Sequence, residues 1–60
     1  MKAIAFSTGQ TFKFNDSEEV FEFHSVFFIE NGCFVRYRKK TNPRVIHEKE
    51  VNGLWDLVHV

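Results

Sequence analysis

Residues 26–40 read VFFIENGCFVRYRKK. Runs of Val, Phe and Ile flank Asn31-Gly32, and the second run ends in the basic RYRKK. An Asn-Gly pair between two β-prone arms is a strong hairpin signal. The loop length then decides which side chains share a face, because a one-residue slip sends a whole arm to the other side. A three-residue loop, Glu30-Asn31-Gly32, opposes Ile29 to Cys33, Phe27 to Val35 and Ser25 to Tyr37. It gathers Phe21, Phe23, Phe27, Ile29, Cys33, Val35 and Tyr37 on one face. A two-residue Asn31-Gly32 turn opposes Phe27 to Arg36 and splits that face, so the three-residue loop is expected. The other face then carries His24, Val26, Phe28, Phe34, Arg36 and Arg38. Val26, Phe28 and Phe34 make it too apolar for plain solvent surface.

The same test extends to both sides. A three-residue loop Ser7-Thr8-Gly9 pairs Ile4 with Phe12 and Phe6 with Gln10, and puts Gly9 where a left-handed residue is needed. A two-residue Asn52-Gly53 turn pairs Val51 with Leu54, Lys49 with Asp56, His47 with Val58 and Val45 with Val60. It brings Trp55, Leu57 and Ile46 to one face against the phenylalanines. Turn residues recur between these runs, at Asn15-Asp16-Ser17 and Thr41-Asn42-Pro43 as well. The expected fold is all-β, one domain over residues 1–60: a small antiparallel meander or partly open barrel of about five strands. The rival is α+β, with a short helix over residues 17–24 on an antiparallel sheet. Asp16 with Glu19 fits a capping box, and Val20, Phe23, Phe27 and Phe28 lie near helical spacing. Phenylalanine and valine lose rotamer freedom in helices, which weighs against it.

Size and composition bound the function. A chain of 60 residues buries only about 60% of the surface its unfolded form exposes. Small scaffolds gain stability from disulfides, metals or oligomerisation. Cys33 is the single cysteine, and His24, His47 and His59 lack metal-site spacing, so neither a disulfide nor a metal or other cofactor is expected. Eight Phe, one Trp and one Tyr are a heavy aromatic load for so small a volume, which points to oligomerisation. Eight basic and eight acidic residues cancel, so there is no global positive field. The start, MKAIAFSTGQTF, lacks the apolar run of an export signal, and no stretch is long enough to span a membrane. With a free cysteine, a cytoplasmic setting is expected.

No catalytic pattern stands out. Ser7, Ser17 and Ser25 lack a nucleophile-elbow motif, and Cys33 beside a turn reads as a small apolar residue. Glu18, Glu19 and Glu22 read as a solvated face. A chain this short is not expected to enclose a pocket of several hundred cubic ångströms for a small-molecule substrate, so no enzyme is expected. Two binding classes compete for the outward hairpin face. In one, Val26, Phe28 and Phe34 anchor a protein interface rimmed by Arg36, Arg38 and His24, most simply a homodimer, or a surface for regulating or inhibiting another protein. In the other, Phe28 and Phe34 stack single-stranded nucleic-acid bases while Arg36, Arg38, Lys39, Lys40 and Arg44 neutralise phosphates. The plainer account of the basic run is edge protection and solubility.

Overall fold

The computed structural model describes residues 5–60. They form five strands, β1 (Thr11–Phe14), β2 (Phe21–Ile29), β3 (Gly32–Lys39), β4 (Asn42–Val51) and β5 (Leu57–His59), with a 3₁₀ turn at Leu54–Asp56 before the last. All belong to one antiparallel sheet of order β4-β3-β2-β1-β5. Strands β1 to β4 meander, and β5 returns to the far side of β1. The sheet is not closed, so β4 and β5 are its two edges. The all-β class read from the sequence is the one observed.

Period-two alternation explains the strands. In β1, Phe12 and Phe14 are buried while Thr11 and Lys13 are half-buried. The core consists of Phe12, Phe14, Phe21, Phe23, Cys33, Val35 and Leu57. Its rings meet edge to face, Phe12 with Phe14 at 5.2 Å and Phe14 with Tyr37 at 5.3 Å. Such pairs contribute about 0.5–1.5 kcal/mol beyond the area they bury.

The rival helix does not form. Residues 17–20 are irregular, and Phe21 begins β2. The Ser17 hydroxyl accepts the Glu19 N–H at 3.1 Å, so it closes a local turn.

The central hairpin differs from both weighed registers. Its loop is Glu30-Asn31, with Ile29 opposite Gly32, Phe28 opposite Cys33, Phe27 opposite Phe34 and Val26 opposite Val35. Gly32 is required by close approach, since a Cβ there would collide with the Val51 carbonyl oxygen. A bulge lies between Phe23 and Ser25, and below it Phe23 opposes Tyr37. The inserted His24 reverses parity. Phe21 and Phe23 face the core below the bulge; above it Val26 and Phe28 face inward and Phe27 and Ile29 outward. The bulge is held from a distance: Thr8 Oγ1 donates to the His24 carbonyl and Gly9 N–H to the Phe23 carbonyl, both at 2.8 Å.

The expected terminal hairpin is also absent. Strand β4 pairs with β3, and β5 pairs with β1, placing Leu57 opposite Phe14 and His59 opposite Phe12. This pairing buries Leu57 in the aromatic core, whereas a β4–β5 hairpin would leave the β1 edge open. The connection from β4 to β5 is pinned by Asp56, whose carboxylate accepts the Asn52 N–H at 2.9 Å and whose carbonyl accepts the Asn15 N–H at 2.9 Å. Of Trp55, Leu57 and Ile46, only Leu57 is buried. The Trp55 ring instead lies over Gly53, where a Cβ would strike it.

In the first turn, Gln10 N–H donates to the Ser7 carbonyl at 3.0 Å and Gly9 has φ +94°. A left-handed Gly9 was expected, and it fits the third position of a type II turn. The arm before it is not a strand over residues 5–7, and the expected pairing of Ile4 lies outside the described residues. The Phe6 ring stacks on His59 at 4.0 Å and on Phe23 at 5.4 Å.

Candidate functional site

Strand β2 outruns its neighbour. β1 pairs with it only at Phe21 and Glu22, and Phe23 completes the contact by donating its N–H to the Gln10 carbonyl at 2.8 Å. Beyond the bulge, no strand among the described residues lies alongside residues 25–29 on the side away from β3. This end of the hairpin carries the apolar cluster. Phe28 is 68% exposed, Phe27 42% and Ile29 40%, while Val26 packs against the core.

The five residues expected to form one partner-binding face divide between two. Val26 and Phe28 lie on the core side, and Phe34, Arg36 and Arg38 lie on the outer side. The cause is the parity reversal at His24, which the sequence pattern does not reveal. Phe27 and Ile29, assigned from sequence to the core, join the outer side. Phe27 and Phe34 are 6.3 Å apart, and the Arg36 guanidinium stands 4.5 Å over the Phe27 ring. Cation–π contact at an exposed site contributes about 0.5–1 kcal/mol.

The basic run is mostly engaged. Arg36 Nε lies 3.2 Å from a Glu48 carboxylate oxygen, Arg38 Nε 2.9 Å from one of Glu22, and Lys39 Nζ 3.4 Å from one of Glu19. Among the described residues, Lys40 and Arg44 make no such pair. Phe28 and Phe34 face opposite sides of the sheet, so they do not form one stacking platform.

An open cleft of about 390 Å³ lies between the end of β1 and the end of β4, lined by Phe14, Asn15, Asp16, Lys49, Asn52 and Asp56 among others. Lys49 Nζ stands 4.3 Å over the Phe14 ring and 3.8 Å from an Asp16 carboxylate oxygen. No Ser, Cys or His lines it.

The remaining reactive groups are dispersed. Cys33 is fully buried, and burial pushes its thiol pKa up, with the negative Asp56 adding to the shift. Burial likewise raises Tyr37. His47 stacks on Tyr37 at 5.5 Å, His59 lies on Phe6, and His24 Nδ1 is 2.9 Å from Ser25 Oγ. Among the described residues, no three His, Cys, Asp or Glu side chains are grouped to hold a metal, and no helix is long and apolar enough to cross a membrane. No protein-family model matches this chain, and neither a curated protein nor a solved structure matches it.

Proposed function

We propose that this protein is a small non-enzymatic interaction module that self-associates through the apolar end of the β2–β3 hairpin. The observation that carries this reading is a distribution of apolar surface. Among the described residues, nine large hydrophobic side chains are exposed against seven buried in the core, and three of the nine are consecutive, at residues 27–29. Scattered exposed apolar groups are ordinary, but here Phe27 and Ile29 on the outer side and Phe28 on the core side crowd both sides of one short stretch of sheet edge. Arg36, stacked and paired beside Phe27, supplies the polar border common at interfaces. An intracellular setting would keep Cys33 reduced.

The nucleic-acid reading loses two of its supports. Its aromatic residues point to opposite faces, and three of its five cations are ion-paired. Light scattering across a micromolar concentration series tests the module reading. A dimer mass that Phe28→Asp converts to a monomer mass, with the far-UV spectrum unchanged, is expected.

A further inference from the structure

We infer that two copies join edge to edge, with residues 25–29 of β2 pairing antiparallel to the same residues of a second copy in a register centred on Phe27. This rests on the self-association reading above and names the contact that performs it. The sequence of the segment is SVFFI. It has no charge, no proline and no strand beside it among the described residues, and its backbone groups on that side form a pairing template. Main-chain hydrogen bonds at an open edge are a recurrent mode of recognition.

The occupant follows from complementarity. With Phe27 opposite its own copy, Val26 opposes Phe28 of the second copy and Ser25 opposes Ile29, and the pairing ends there because Thr8 Oγ1 already occupies the His24 carbonyl. Aromatic and β-branched residues opposite one another stabilise sheets. Centring on Val26 moves Glu30 opposite Glu22, and centring on Phe28 sets Glu30 against Val26. Of the three, the Phe27 register alone keeps Glu30 away from both a like charge and an apolar partner.

The strands left outermost are less suited to continue the sheet. After β2 meets its copy, the outermost strand beyond β3 on each side is β4. That strand carries Pro43, and residues 43–46 have no cross-strand partner in the ladder. Its regular half reads His47-Glu48-Lys49-Glu50. Self-pairing centred on Lys49 would oppose like charges at the centre, which is unfavourable.

The experiment uses the intact protein and two readouts, mass by light scattering and amide hydrogen exchange at high and low concentration. Expected is a dimer in which amides of residues 25–29 exchange more slowly at high concentration. A dimer whose amides there are indifferent to concentration overturns edge pairing and leaves the self-association reading standing. A monomer mass throughout overturns both. For the register, Ser25→Lys is expected to weaken association several-fold by setting a charge against Ile29 of the second copy, and Ile29→Glu on the same chain to restore it. Failure of the second change to rescue the first overturns the Phe27-centred alignment.

Discussion

Two edges of the same sheet are treated in opposite ways. β4 is ten residues long, yet a proline, an irregular stretch and alternating charges interrupt it, and Lys49 folds back over Phe14. Residues 25–29 of β2 have none of these devices. Among the described residues, that stretch of edge carries no proline and no charge, and the proposed pairing rests on this contrast with β4. The short β5 offers three strand residues and is a minor edge by comparison.

The comparison can be broken at several strengths. The largest effect is expected from Phe12→Ala, which removes a fully buried ring at the centre of the core. Such truncations cost about 3–5 kcal/mol, close to the whole stability of a small domain. Loss of the cooperative thermal transition is the expected outcome, and both edges disappear with it.

Next come matched charge insertions. Phe27→Lys should weaken self-association by about 30-fold or more, as loss of a central anchor does. Ile46→Lys on β4 should change it by less than about 2-fold, because a surface change away from special features stays within about 0.5 kcal/mol. Sedimentation or light scattering over the same concentrations compares them. Equal effects would erase the distinction between the edges.

A smaller effect sharpens the border of the proposed contact. Arg36→Ala removes both the stack on Phe27 and the pair with Glu48. About 1 kcal/mol of stability or less is expected to be lost in chemical denaturation, since exposed ion pairs contribute little.

The last prediction concerns pH. Cys33 and Tyr37 are both raised in the folded chain by burial. A raised pKa means that the unfolded chain releases its proton first, so these groups contribute stability below the unfolded values, about 8.5 and 10, and lose it as pH rises. Denaturation midpoints should fall on the alkaline side. Cys33 should react with a thiol reagent only as the chain opens, because it is fully buried. Rapid labelling in the native protein would contradict that burial.

Much of the molecule was legible before its shape. Alternation of Phe12 and Phe14 with Thr11 and Lys13 marks a strand facing one core, and the recurrence of turn residues marks a chain that reverses often. A left-handed Gly9 is expected because only glycine adopts that conformation freely, and its φ of +94° agrees. The apolar surplus near Val26 and Phe28 was visible too. Their division between faces was not, because parity counting assumes an uninterrupted ladder. Parity counting therefore puts Phe27 and Ile29 in the core, whereas both are exposed on the outer side.

The sequence by itself determined the all-β antiparallel class and the core phenylalanines from Phe12 to Phe23, since these depend on side-chain period and on turn residues close along the chain. Only the tertiary structure decided the bulge at His24 and the partner of β5. The bulge is held by Thr8 and Gly9, sixteen residues away in the case of Thr8, and β5 finds β1 because Leu57 is buried beside Phe14. Both choices are energies of contact between distant segments, and no local spacing encodes them.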